Sequence, residues 1–193
     1  MIDVELYFNY RSPYCYLATH QMWTIEDHHG GRFQWYPLGG WAGRSPPDRA
    51  KKKLPLTRMD VRRWTRRLGI PFSPPPKTTD PTRAALAALL AVERGLIRPY
   101  TQAVMWAEWA EGRDIGEPSV LLDVAASVGL DRSEVEACFE DPGRSATLEA
   151  NAARADDKGI IGVPTFAIGE EIFWGQDRID FVVEHLDALG KAS

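Results

Sequence analysis

The feature that most restricts the fold of this chain is where its strand signals fall. They lie within the first 40 residues or after Gly159, and the stretch between reads as loop and helix. Val4-Glu5-Leu6-Tyr7-Phe8-Asn9-Tyr10 has the aromatic and β-branched character of a short buried strand, and Arg32–Leu38 is a second one stopped by proline. Between them Tyr16-Leu17-Ala18-Thr19-His20-Gln21-Met22-Trp23 reads as a helix, ended at Gly30-Gly31 through the left-handed geometry that glycine allows. Strand, helix, strand at this spacing is a βαβ unit, whose crossover is parallel and right-handed. After Gly159, Ile160–Ile168 reads as a strand, Gly169-Glu170-Glu171 as a hairpin turn and Ile172-Phe173-Trp174 as its partner. Gly175-Gln176-Asp177 then caps a final helix with Ile179, Phe181, Val182, Leu186 and Leu189 on its apolar side, ending at Gly190.

The middle is helical in pattern. Thr57-Arg58-Met59-Asp60 resembles a capping box, with Val61, Trp64 and Leu68 on one face and Gly69 as the stop. Ile70–Pro76 is too rich in proline for a helix and makes an extended connector. Asp80-Pro81 opens an Ala/Leu-rich helix that runs to Gly95, and Pro99–Glu111 carries Met105, Trp106 and Trp109 at the spacing of a buried stripe. Pro118–Val128, Asp131–Glu140 and Ser145–Lys158 complete the series, and Gly39–Pro47 reads as a loop.

Composition excludes several classes. A charged fraction of 26% and a net charge of −4 fit neither a polyanion-binding nor a membrane protein, and no apolar run approaches spanning length. The chain opens directly into a strand, so a cytoplasmic protein without a signal peptide is expected. Cys15 and Cys138 form neither a disulfide framework nor a metal cluster, and His28-His29 lacks further ligands at metal spacing, so no metal is expected and the histidines read as surface. Ten Lys/Arg stand between Arg44 and Arg67 against Asp48 and Asp60. Only Trp64 interrupts them as an aromatic, which argues against nucleic acid and for a solvated face, intramolecular pairing or an anionic ligand.

Chemistry concentrates at Ser12-Pro13-Tyr14-Cys15, where the first strand meets the first helix. Pro13 suits a first helical turn, whose unpaired N–H groups and dipole favour negative charge. A hydroxyl at that tip with a thiol three residues on is a place to hold an anion or a thiolate. The plainer alternative is that Ser12 caps the helix and Cys15 packs as a small hydrophobe.

The two ends together, with S-x-x-C at a strand-to-helix tip and Val163-Pro164-Thr165 before the third strand, resemble the thioredoxin superfamily, and the helical middle resembles its DsbA-type branch. Within that branch Phe8–Ala18, Asp60–Trp64, Gly69–Phe72, Gly162–Phe166 and Phe173–Arg178 are similar to the 2-hydroxychromene-2-carboxylate isomerase and kappa-class glutathione transferase family. The resemblance implies an α/β thioredoxin-like fold (βαβ plus ββα) formed by residues 1–40 and 159–193, with an all-helical insertion at 41–158. It implies an enzyme that uses glutathione, or another low-molecular-weight thiol, to isomerise aromatic 2-hydroxychromene-2-carboxylate-like substrates by reversible thiolate addition. Ser12 would stabilise the sulfur. Val163, before a cis Pro164, would pair with the cysteinyl part of glutathione, and Gln176 and Asp177 would hold its γ-glutamyl end. Lys53 and Tyr14 would face a small aromatic carboxylate substrate, and the assembly would be a homodimer without nucleic acid or membrane partners.

The chain departs from that family at Gly43-Arg44-Ser45-Pro46-Pro47, where an asparagine is usual, at Leu56 in place of a tyrosine, and at Lys77–Thr82. Two rivals remain open: a DsbA-like thiol-disulfide oxidoreductase working through Cys15, and a thiol-binding protein without catalysis. With Ser12 at the position of the exposed nucleophile, a dithiol cycle through that position is chemically closed.

Overall fold

In a computed structural model of the chain, residues 1–43 and 47–192 are described. The part of the Gly39–Pro47 loop at Arg44-Ser45-Pro46 lies outside the described residues. Strands β1 (Ile2–Phe8), β2 (Gly31–Pro37), β3 (Thr165–Ile168) and β4 (Glu171–Trp174) form one sheet in the order β2-β1-β3-β4. β1 pairs with β2 in parallel, Val4 opposite Phe33 and Leu6 opposite Trp35, as a βαβ unit requires. It pairs with β3 antiparallel, Leu6 opposite Phe166, and β3 continues antiparallel to β4. Val4, Leu6, Phe8 and Phe166 are fully buried, and a side chain of that size contributes about 1.5–3 kcal/mol when taken out of water.

The first helix is broken. α1 covers Pro13–Ala18 and α2 only Thr24–His28. The indole Nε1 of Trp23 donates to the Thr19 carbonyl at 2.8 Å and the Thr19 hydroxyl donates to the Tyr16 carbonyl at 2.7 Å, so side chains take backbone acceptors that a continuous helix would use. His28 is exposed as expected, whereas His29 is partly buried and its Nδ1 lies 2.8 Å from Asp187 Oδ1.

α3 (Pro47–Leu68) starts at Pro47 and not at the expected Thr57 cap. Pro55 sits inside it on the exposed side, where the carbonyl left without a donor is open to solvent. Lys51, Lys52, Arg58, Arg62, Arg63, Arg66 and Arg67 are exposed, so the basic block is largely a solvated face. Beyond the extended connector come α4 (Thr82–Glu93), α5 (Ile97–Trp109), α6 (Pro118–Ser127), α7 (Arg132–Cys138) and α8 (Pro142–Asp157). Asp131 and Asp141 cap α7 and α8 through the N–H groups of Ser133 (2.9 Å) and Gly143 (2.7 Å). Alanines 84, 85, 87, 88 and 91 of α4 are buried, leaving room for Tyr100 of α5 to donate to the Ala84 carbonyl at 3.0 Å. Of the expected α5 stripe, Met105 and Trp109 are buried but Trp106 is 43% exposed.

The third strand is shorter than its apolar run. Ile160 N–H closes the end of α8 on the Ala155 carbonyl at 2.9 Å, and residues 161–164 bend before β3 begins. The chain ends in a single 3₁₀ turn, Gln176–Arg178, and α9 (Ile179–Ala192), which continues past the expected stop at Gly190.

Candidate functional site

A cleft of about 290 Å³ opens where the α1 tip, α3, the 70–76 connector, the end of α5 and the 161–163 bend converge. Ser12, Tyr14, Lys53 and Val163 all line it, as do Trp41, Phe72, Trp109 and Trp174. The described lining contains Arg11, Lys53, Arg58 and Lys77 and no Asp or Glu.

Ser12 is in extended conformation as the N-cap of α1, and its oxygen accepts the Cys15 N–H at 3.3 Å. Its hydroxyl donates to the Val163 carbonyl at 3.2 Å. It is therefore a cap and a lining group together, so the two sequence readings are compatible. The Val163–Pro164 peptide is cis. The Pro164 carbonyl accepts the Gly175 N–H at 2.9 Å, which seats the Gln176–Arg178 turn beside α1. Gln176 is buried and accepts from Gln21 Nε2 at 3.3 Å, while Asp177 is exposed and paired with Arg178 at 2.9 Å. Neither lines the cleft, although the Tyr14 phenol lies within the field of Asp177.

Tyr14 donates to Asp60 Oδ2 at 3.0 Å. Burial, and then the Asp60 carboxylate, push the phenol pKa up to about 12, so it stays protonated in neutral solution. Asp60, expected as part of a helix cap, lies inside α3 and orients this tyrosine instead. Cys15 is fully buried, and desolvation pushes its thiol up to about 12, against smaller opposing effects of Asn9 and Ser12. A thiol so buried and held protonated is a weak nucleophile.

Three residues of this region carry weight that local sequence patterns did not assign. Asn9 is fully buried. Its Nδ2 donates to the carbonyls of Gly40 (3.4 Å) and Ala42 (3.1 Å), and its Oδ1 accepts the Arg11 N–H at 2.9 Å, tying the loop after β2 to the tip. Arg11 and Glu108 form an ion pair at 3.3 Å with side chains 11% and 0% exposed. Glu108 carried a readable signal: it continues the face of Thr101, Val104 and Met105, at the helical spacing of buried positions.

Among the described residues, no group of three or more His, Cys, Asp or Glu is placed to hold a metal ion, and no helix is long and apolar enough to cross a membrane.

Residues 3–187 match the DSBA-like thioredoxin domain family. The 2-hydroxychromene-2-carboxylate isomerase of Pseudomonas putida is 26% identical over 196 residues, covering 97% of this chain and 94% of that protein. A solved 2-hydroxychromene-2-carboxylate isomerase superposes with a TM-score of 0.85 at 24% identity, over 99% of this chain and 97% of its own. The cytosolic disulfide reductase DsbM from Pseudomonas aeruginosa, solved with GSH, superposes with a TM-score of 0.73 at 20% identity over 99% and 98% of the two chains. The sheet order, the helices set between its halves and the serine at the helix tip thus accompany a family match along nearly the whole chain, and the protein belongs to the DSBA-like thioredoxin domain family.

Proposed function

We propose that this protein is a thiol-dependent isomerase of aromatic, 2-hydroxychromene-2-carboxylate-like acids, with glutathione as the thiol. The observation that carries the reading is the Ser12 hydroxyl set in an aromatic cleft whose described charges are all positive. The full-length likeness to isomerases of that name supports the substrate class, and the GSH-containing relative supports the thiol.

The residues fit such a group. Ser12 supplies an O–H beside the Val163 carbonyl, a backbone acceptor next to Pro164 suited to a peptide-like ligand. When bound, the thiol supplies a sulfur nucleophile that adds reversibly to a conjugated carbon, permits rotation about the former double bond and leaves with no net redox change. The protein's part is an exchange of partners. The Ser12 O–H, which donates to the Val163 carbonyl, would turn to hold an anionic sulfur, and that carbonyl would then be open to an N–H of a peptide-like ligand. Throughout, the Cys15 N–H polarises the Ser12 oxygen, making its O–H the stronger donor. Each unit by which the sulfur pKa falls corresponds to about 1.4 kcal/mol. α1 has only six residues, so the hydroxyl and local N–H groups, more than a helix dipole, supply this stabilisation. Phe72 and the buried Trp109 give the cleft an apolar wall, with the half-exposed Trp41 and Trp174 beside it, and Tyr14, held by Asp60, keeps a neutral O–H in the same cleft.

Titration calorimetry with glutathione, beside the absorbance change of 2-hydroxychromene-2-carboxylate isomerisation, tests the reading. Binding and turnover are expected, and Ser12→Ala abolishes turnover and weakens thiol binding. Absence of binding for any cellular thiol, with Ser12→Ala indistinguishable, would overturn it. Reduction of insulin stays at background, because Cys15 is buried and protonated.

A further inference from the structure

Among the described cations of the cleft, one differs in kind from the rest. Arg58 and Lys77 are exposed, where water screens a charge, and Lys53 is partly exposed. Arg11 is 11% exposed and immobilised. Its Nη1 lies 3.3 Å from Glu108 Oε1, its Nη2 donates to the Pro76 carbonyl at 2.8 Å, and its guanidinium carbon lies 5.3 Å from the centre of the Trp109 ring. Trp109 is fixed in turn, its Nε1 donating to the Tyr10 carbonyl at 3.0 Å and its ring stacked on Phe72 at 6.0 Å. The Arg11 Nε is buried and has no hydrogen-bond partner among the described residues.

A structural brace would need only the Glu108 and Pro76 contacts. Three observations point further. Arg11 lines the cleft but Glu108 does not, so a ligand meets the cation with its counter-charge behind it. The guanidinium is mostly buried and fixed, and a preorganised charge acts more strongly than a mobile one at the surface. Finally, Arg11 and Ser12 are consecutive but turn apart. Ser12 faces Val163, while Arg11 faces Trp109, Glu108 and the connector. A thiol on the Val163 side leaves the Arg11 side for the molecule it attacks.

We propose that Arg11 is the specificity-determining residue for the acceptor: its planar guanidinium receives the carboxylate of an aromatic acid whose ring lies among the cleft's aromatic side chains, a few atoms from the Ser12 hydroxyl. Lys53 and Arg58 draw anions towards the opening without fixing their orientation. This rests on the isomerase reading for the identity of the acceptor, but recognition of the anion is measurable without turnover.

The experiment compares binding of naphthalene-2-carboxylate with its neutral isostere 2-naphthamide by calorimetry, in wild type, Arg11→Met, Arg11→Lys and Lys53→Met. Wild type is expected to prefer the acid by about 10- to 100-fold, the range of a charge-assisted hydrogen bond. Arg11→Met abolishes the preference, Arg11→Lys keeps part of it, Lys53→Met keeps most of it, and glutathione binds Arg11→Met as it binds wild type. Should loss of the cation leave Glu108 too costly to bury, the double variant Arg11→Met with Glu108→Gln removes both charges and carries the same expectation. A preference for the acid that survives Arg11→Met, or one lost in Lys53→Met with Arg11 intact, would overturn the assignment. If no glutathione binds while the Arg11-dependent preference persists, the thiol reading fails and the anion site stands.

Discussion

The Ser12 hydroxyl donates to the Val163 carbonyl at 3.2 Å, joining the α1 tip to the segment that enters β3. The same oxygen accepts the Cys15 N–H. Ser12→Ala therefore leaves a backbone donor and a backbone acceptor unserved in a buried place. A loss of about 1–3 kcal/mol is expected from the shift of the urea midpoint. Ser12→Thr keeps both bonds and should recover most of it.

Asn9 does comparable work on the other side of the tip. Asn9→Ala removes two donated bonds to the 40–42 loop and one accepted from Arg11. The expected cost is about 1–3 kcal/mol, since partly buried backbone groups lose partners. Amide hydrogen exchange at residues 39–43 should accelerate beyond the change in global stability. Uniform acceleration across the chain would show that the ties are not local.

Cys15 predicts an alkaline limit to stability. Its folded pKa is raised from 9.0 to about 12, because burial penalises the thiolate. The protonated thiol is shared by folded and unfolded chains below about pH 9. Above it the unfolded chain ionises first, so stability falls as pH rises. Urea midpoints measured under reductant at pH 7 and pH 10 should diverge, and Cys15→Ala should diverge less. Native protein at pH 8 should resist iodoacetamide at Cys15 until denaturant is added.

At the cleft entrance, a Cβ on Gly162 would lie 2.5 Å from Trp174 Nε1 and 3.0 Å from Cε2. Trp174 is 49% exposed, so its ring has somewhere to go. Gly162→Ala should cost under about 1 kcal/mol in stability, yet change acrylamide quenching of the indole and raise the KM for an aromatic substrate. Unchanged quenching would mean that the ring already stands clear of Gly162.

What the chain reveals of itself before folding follows how local each signal is. The parallel β1–β2 unit and the β3–β4 hairpin rest on patterns spanning a few residues, and both appear in the structure, β3 with a later start than its apolar run. Thr57-Arg58-Met59-Asp60 is equally local and misleads: its helix already runs through from Pro47, and Asp60 spends its carboxylate on Tyr14. The break after Ala18 was hidden because it depends on which carbonyl Trp23 reaches in three dimensions. Arg11 and Glu108 lie 97 positions apart, and only the packing of α5 against the tip brings them together. Such a pair has no local pattern, although a carboxylate on the Thr101, Val104, Met105 face of α5 demands a buried partner.

The position of β1 between β2 and β3 has a consequence for how the molecule is made. As the chain emerges from the ribosome, β2 becomes available to β1 early, but the other edge of β1 has no neighbour until β3 has been synthesised. Throughout the production of α3 to α8 that edge remains open, with backbone groups able to pair with a strand of any nearby nascent chain. Residues 161–174 close that edge and complete the cleft, so protection from aggregation and competence to bind are acquired in the same event.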